Sequence, residues 1–190
     1  MPPAPAIVLA SASPRREQLL REAGIEFLVC PARVPEIPES GESGRAFAER
    51  MANEKARAVR QVMPERTILA ADTVVWLDDE LLLKPQDAID AARMLRLLSG
   101  RRHLVTTGVC LIGEGFEDVR SETSTVEFAP LRKEEIDGYV ESGEPMDKAG
   151  AYAIQGGAAR WILDLEGDYS NVVGLPVGLV RRMLTEHGML

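Results

Sequence analysis

The chain has 190 residues, enough for one domain with a substantial core, and is 45% hydrophobic, 27% charged and 5% aromatic. That balance excludes a disordered chain, and no apolar run reaches the roughly 20 residues of a membrane span. A formal charge of −8 and few aromatics argue against broad nucleic-acid binding, while a small phosphorylated ligand depends only on local charge and stays open.

In chain order, Ile7–Ala10 reads as a short buried strand. Pro14 to Ala23 puts Leu19, Leu20 and Ala23 on one side, with Gly24 as a stop, and predicts a helix. Ile25–Cys30 returns as a strand. Pro31 to Gly44, punctuated by prolines, glycines, glutamates and serines, reads as a long exposed loop, a kind often functional. Arg45 to Met63 is the clearest helix, with Phe47, Met51, Ala52, Ala58, Val59 and Val62 as its apolar face and Pro64 as its stop. Thr67–Leu77 is a strand with a charged Asp72 in an apolar run. A turn at Asp78-Asp79-Glu80 leads to a short strand, Leu81–Leu83, ending at Lys84-Pro85. Ala88–Ser99 is helical and closes at Gly100. His103–Ile112 and Phe116–Phe128, joined by Gly113-Glu114-Gly115, carry a hairpin signal. Arg132–Ser142 is a helix ended by Gly143, Ala149 to Leu165 is mixed, and Gly167–Leu175 is a loop. Pro176–His187 makes the last helix, with Pro176 in its first turn. Helices interleaved with strands, plus one antiparallel hairpin, predict an α/β protein with a mixed sheet. Without an internal repeat or a linker, residues 1–190 read as one domain, with room for two lobes.

Cys30 and Cys110 are too few and too far apart for a disulfide framework, and no Cys or His cluster has zinc-site spacing. Both are expected as buried, reduced thiols. Residues 1–10 lack the basic segment and long apolar stretch of a signal peptide, so a cytoplasmic location is expected.

The stretch LASASPRRE, Leu9 to Glu17, has two explanations. Ser13 caps a helix whose first position is Pro14, which accounts for serine and proline. It does not account for Arg15 and Arg16, because cations at a helix N-terminus oppose the macrodipole. A bound polyanion would remove the conflict, meeting free N–H groups, the Ser11 and Ser13 hydroxyls and two guanidinium forks. The capping and phosphate readings stand level. No GxxxxGK[ST] pattern exists in the chain.

Asp72 is the strongest single candidate, since a carboxylate within LAADTVV is costly to bury unless paired, hydrogen-bonded or metal-bound. A functional role outweighs a strand-end cap. Thr73 beside it suits either a ligand contact or an ordinary strand. Lys84, at the end of a short strand, and Lys55, in ANEKARA, read first as surface lysines. The stretch MDKAGAYAIQGGAA, Met146 to Ala159, is rich in small residues, with Asp147, Lys148 and Gln155 as its strongly polar side chains. Its glycines suit either close backbone approach to a ligand or a surface turn. GDYSNVVGLP, Gly167 to Pro176, has the same two readings. His103 reads as a strand-start residue and His187 as exposed, and neither adjoins a GxSxG pattern. The inventory suits metal-assisted attack by water better than covalent catalysis.

Taken together, LASASPRR, ANEKA, LAADTVV, Lys84-Pro85, DKAGAYAIQG and NVVGLP, in this order from residue 9 to residue 176, resemble the Maf family of nucleoside triphosphate pyrophosphatases. The resemblance implies an elongated mixed-sheet α/β fold like that of inosine triphosphatases, two lobes around a nucleotide cleft, and a homodimer. It implies hydrolysis of a nucleoside triphosphate to the monophosphate and pyrophosphate with Mg²⁺ or Mn²⁺, and a role in removing non-standard nucleotides. By position, Asp72 matches the catalytic base or metal-anchoring acid. Arg15, Thr73 and Gln155 match substrate-selecting positions, and Ser11, Arg16, Lys55 and Lys84 match positions that contact phosphates or support the site. Where members carry an acidic pair after the second strand, this chain offers Glu36, the expected second metal ligand. DKAGAYAIQG resembles the branch acting on dTTP and UTP rather than 7-methyl-GTP. Many members have glycine in place of Ala153 and a small polar residue in place of Asp168. The competing class is a non-catalytic nucleotide-binding regulator of cell division.

Overall fold

The computed structural model describes residues 7–190; residues 1–6 of the stretch considered above for a targeting signal lie outside the described residues. Among the described residues seven strands form one mixed sheet, β1 (Ile7–Leu9), β2 (Phe27–Val29), β3 (Thr67–Leu77), β4 (Glu80–Leu82), β5 (Arg102–Gly113), β6 (Phe116–Phe128) and β7 (Ile162–Glu166). Their order is β2-β1-β3-β5-β6-β7, with β4 paired to β3. β1 runs parallel to β2 and β3, aligning Ile7 with Phe27 and with Thr67, while β3–β4 and β6–β7 are antiparallel. The helices are α1 (Pro14–Glu22), α2 (Gly44–Val62), α3 (Ala88–Leu98), α4 (Lys133–Glu141), α5 (Tyr169–Val173) and α6 (Val177–Glu186). Among the described residues no helix is long and apolar enough to cross a membrane.

The chain divides into two compact units, both discontinuous in sequence. One comprises the described part of Met1–Asp72, with Thr107–Glu122 and Gly174–Leu190; the other comprises Thr73–Thr106 and Thr123–Val173. β3, β5 and β6 each contribute residues to both, so no linker composition marks the division.

In the first unit, alternation along the strands sends side chains to two faces. Ile7, Leu9, Leu69 and Val109 pack with Leu20 of α1 and Leu179, Val180 and Met183 of α6. Val8, Ala10, Ile68, Ala70 and Cys110 pack on the other face against Ala52, Ala56 and Val59 of α2. α2 approaches so closely that a Cβ at Gly108 of β5 would overlap the Ala48 carbonyl, which requires glycine there. The buried side of α2 turns out to be Phe47, Ala48, Met51, Ala52, Lys55, Ala56 and Val59. Val62, expected on it, is 70% exposed, and Ala58 is only half-buried.

The second unit closes on its own core. Val75, Leu77 and Leu82 pack with Leu95 and Leu98 of α3, Ile136 and Tyr139 of α4, and Phe128, Tyr152 and Trp161. The mixed stretch after α4 resolves into three short 3-10 turns followed by β7. The expected loop Gly167–Leu175 contains α5 instead. Asp168 caps it, its Oδ1 accepting the N–H of Ser170 at 2.6 Å and of Asn171 at 3.2 Å. Asn171 is fully buried, donating to the Val105 carbonyl and to Ser124 Oγ.

Candidate active site

β1 ends where the candidate cradle begins. The Ala10 N–H still donates to the Leu69 carbonyl at 2.8 Å, so Ser11 follows directly from the C-terminal end of a parallel strand. From there the chain leaves through α1 on one face to β2, and returns through α2 on the other face to β3. This reversal beside β1 is the kind of switch point at which open α/β sheets bind ligands. Ser13 caps α1, its Oγ accepting the Arg16 N–H at 3.5 Å, as the sequence predicts. Ser11 is 7% exposed, and its Oγ accepts the Ser13 N–H and Arg16 Nη1, both at 3.2 Å. Arg16 Nε donates to the Gly174 carbonyl at 2.7 Å, within the NVVGLP stretch. Arg16 is thus aimed by two bonds, while Arg15, half-buried, follows Pro14 in the same first turn.

Asp72 lies on β3 and is 5% exposed. Lys55, from α2, reaches it with Nζ 2.5 Å from Asp72 Oδ1 and 2.7 Å from Glu36 Oε1. The lysine expected on a surface is therefore buried between two carboxylates, because its position faces the sheet on α2. Glu36 belongs to the loop before α2, and that loop is fastened by Arg50. Nε and Nη2 of Arg50 each lie 2.7 Å from a different oxygen of Glu42, Nη1 is 2.9 Å from Glu54 and Nη2 donates to the Ile37 carbonyl at 2.9 Å. Sequence reasoning misses Arg50, because Arg45 stands among the same glutamates and nothing local separates the two.

Electrostatics follow from burial. Enclosure pushes the Asp72 carboxyl above the usual carboxylate range, against the pull of Lys55 and, less strongly, Arg16. Enclosure likewise lowers the Arg16 guanidinium, opposed by Asp72, with Arg15 adding like-charge repulsion. The first unit therefore brings together Ser11, Ser13, Arg16, Lys55, Asp72 and Glu36, and places Arg15 next to Arg16.

Three candidates stand in the second unit. Thr73, half-buried, follows Asp72 on β3 with its side chain on the opposite face of the strand. Lys84 is exposed just after β4, before a buried Pro85. Gln155 is exposed in a turn closed by the Gly156 N–H donating to the Ala153 carbonyl at 3.1 Å. Asp147 and Lys148 pair with each other at 2.6 Å.

Neither histidine joins the site. His103 is 2% exposed, with Nε2 2.8 Å from the Tyr152 hydroxyl, and burial lowers it to about 4. His187 is half-buried rather than exposed, because its ring stacks on Phe116 at 3.8 Å and bonds to Asp118. Of the cysteines, Cys110 is buried with its thiol pushed up to about 12, whereas Cys30, just past the edge strand β2, is only half-buried.

Asp72 and Glu36 offer hard carboxylate oxygens close enough to share one ammonium, a donor chemistry that suits Mg²⁺ or Mn²⁺. Among the described residues no group of three or more His, Cys, Asp or Glu is disposed around a metal position. Two carboxylates are nevertheless a usual protein share for Mg²⁺, with phosphate oxygens and water supplying the rest.

The family model of Maf-like proteins matches residues 6–187. A dTTP/UTP pyrophosphatase of Koribacter versatilis is 53% identical over 184 residues, covering 97% of this chain and 95% of that protein. A dTTP/UTP pyrophosphatase of Symbiobacterium thermophilum is 50% identical, covering 96% and 94%. Among solved structures, the Staphylococcus aureus Ham1 protein aligns at a TM-score of 0.44 with 14% identity, over 95% of this chain and 98% of that one.

Proposed function

Since the chain belongs to the Maf family, we propose that it is a nucleoside triphosphate pyrophosphatase that hydrolyses dTTP and UTP to the monophosphate and pyrophosphate. One observation carries the reading beyond family membership: a buried carboxylate, Asp72, tied through Lys55 to Glu36 and neighboured by Arg16 at the start of α1. Carboxylates for a water and its proton, and cations for phosphate oxygens, are what cleavage of a phosphoanhydride needs.

The residues divide that work. Asp72, with Oδ1 engaged by Lys55, has Oδ2 to accept the proton of the attacking water. Arg16 is held in place by Ser11 and Gly174, so its guanidinium is oriented before charge develops on the leaving pyrophosphate. Ser13, Arg15 and the N–H groups of the first turn of α1 add anion-binding capacity, and Lys84 adds a further phosphate contact. Lys55 keeps Asp72 and Glu36 in a fixed relation. A divalent cation held by Asp72 and Glu36 would lower the pKa of water and neutralise phosphate charge. Thr73 and Gln155 are assigned to reading the base, where hydrogen bonds discriminate strongly because a wrong base leaves buried polar groups unpaired.

The deciding experiment incubates the protein with dTTP, UTP, CTP and 7-methyl-GTP in the presence of Mg²⁺ and resolves the products. Pyrophosphate and monophosphate, formed fastest from dTTP and UTP, are expected. Release no greater than in a metal-free control would refute the activity in favour of a nucleotide-binding regulator. Orthophosphate as the product would make the protein a phosphatase, and preference for 7-methyl-GTP would move it to the other branch.

A further inference from the structure

We propose that Glu144, acting with Tyr139, is the positioning residue that fixes the turn carrying Gln155 and thereby sets nucleobase preference, an inference that rests on the assignment of Gln155 to base recognition. Glu144 opens the 3-10 turn Glu144–Asp147, directly after Gly143 reverses the chain with φ of 75°. Its Oε1 accepts the Tyr139 hydroxyl at 2.8 Å and the Gly157 N–H at 3.0 Å, and its Oε2 lies 3.3 Å from the same N–H. The Tyr139 oxygen in turn accepts the Ala153 N–H at 3.1 Å. Backbone on both sides of Gln155, at residues 153 and 157, is therefore tied to one hydroxyl–carboxylate pair. Between those ties the chain makes a closed β-turn from Ala153 to Gly156, with Gln155 as its third residue.

The strap is itself anchored. Tyr139 is 4% exposed, its ring meets Trp161 edge-on at 5.0 Å, and burial holds its phenol protonated well above its ordinary range, so it donates to Glu144. Lys148 Nζ donates to the Glu144 carbonyl at 2.7 Å, fixing the backbone from which the carboxylate projects. The glycine pair after Gln155 fits the same device. A Cβ at Gly156 would run into Glu144 Oε1, and one at Gly157 would press on the Tyr139 ring at 3.3 Å. These glycines thus admit the protein's own carboxylate and ring, a close approach that the sequence leaves indistinguishable from one made to a ligand. An exposed glutamine on an untethered turn would lose freedom on each binding event, whereas one on a strapped turn loses little. Glu144 contacts no reacting atom in this scheme; it acts through Gln155.

The test measures kcat and KM for pyrophosphate release from UTP, dTTP and CTP in wild type, Gln155→Ala, Glu144→Ala, Glu144→Gln and Tyr139→Phe. Gln155→Ala is expected to collapse the ratio of kcat/KM for UTP over CTP. Glu144→Ala should lower that ratio about tenfold, mainly through the KM for UTP, as loss of positioning does. Glu144→Gln keeps an oxygen acceptor for Gly157 and Tyr139 and should restore most of it. A role confined to stability would slow all three nucleotides alike, and that result, or an unchanged ratio in Glu144→Ala alongside a collapsed one in Gln155→Ala, overturns the inference alone. An unchanged ratio in Gln155→Ala, or no pyrophosphate from any nucleotide with wild type, overturns the parent reading and this inference with it. Should Glu144→Ala not fold, Tyr139→Phe, which keeps the ring on Trp161, carries the same comparison: a lowered ratio supports the strap and an unchanged one overturns it.

Discussion

Replacing Lys55 by methionine isolates the cost of the buried carboxylate. The side chain keeps its length and packing but loses the ammonium that lies 2.5 Å from Asp72 Oδ1 and 2.7 Å from Glu36 Oε1. Asp72 is 5% exposed, so its charge is left without its nearest partner, a change that typically costs about 3–5 kcal/mol. Glu36, a third exposed, is relieved by water and contributes little. Part of the penalty is escaped by taking up a proton. Burial already raises the Asp72 pKa against the pull of Lys55, and without Lys55 it rises further. The folded state then holds a proton that the unfolded state releases, so stability falls as pH rises between the ordinary carboxylate value and the raised folded one. Urea denaturation should show Lys55→Met destabilised by about 3 kcal/mol at pH 8 and by less than about 1 kcal/mol at pH 5. Adding Asp72→Asn should remove the pH dependence and recover most of the loss. A midpoint at pH 8 equal to that of wild type, or a loss of the same size at both pH values, would refute the reasoning.

Asp72→Asn alone is expected to lower turnover of UTP by about two orders of magnitude, the share of a general base, and near-normal turnover would remove Asp72 from the mechanism. His103, held neutral by burial with its pKa lowered from 6.5 to about 4, makes the folded state lose roughly 3 kcal/mol as pH falls across that window, because only the unfolded chain takes the proton. His103→Gln, followed by denaturation at pH 7 and pH 4.5, should flatten that part of the profile; a profile as steep as wild type would show that other groups cause it. Arg50→Ala removes the bonds to Glu42, Glu54 and the Ile37 carbonyl. Amide exchange of residues 37–42 should then accelerate roughly tenfold or more while β1 and β3 keep their protection, and an unaltered loop would mean that Arg50 does not fasten it.

A chain of net charge −8 can serve a polyanion because its charges are not evenly committed. Much of the surface charge is neutralised in pairs, as in Arg57 with Glu117, Arg93 with Glu80 and Asp90, and Arg120 with Asp118 and Glu186. At the end of β1 the balance reverses, with Arg15, Arg16 and Lys55 outnumbering Asp72 and Glu36 by one formal charge. Sign and number of local charges, rather than the net value, decide what the site attracts.

The sequence makes the backbone scaffold legible wherever local pattern and final environment agree. The hairpin turn at Gly115, the cap at Ser13, and the charged interruption at Asp72 are local signals, and the structure uses each as local physics suggests. The burial of Lys55 and the presence of α5 escape a local sequence reading for a shared reason. Whether a lysine on an amphipathic helix is buried depends on what faces it, and Asp72 and Glu36 stand 17 and 19 residues away. Likewise, five helical residues at Tyr169–Val173 form around a buried Asn171 whose partners, Val105 and Ser124, lie 66 and 47 residues off. The pair Gly156-Gly157 marks the boundary most clearly. From sequence alone, glycines flanking a polar residue permit close approach but do not say by what. Glu144 is 13 residues from Gly157, and the carboxylate that requires the glycines enters the argument only once Tyr139 has brought both ends of the turn to one place. Such a pair is best read from sequence as a demand for space, with the occupant left to the fold.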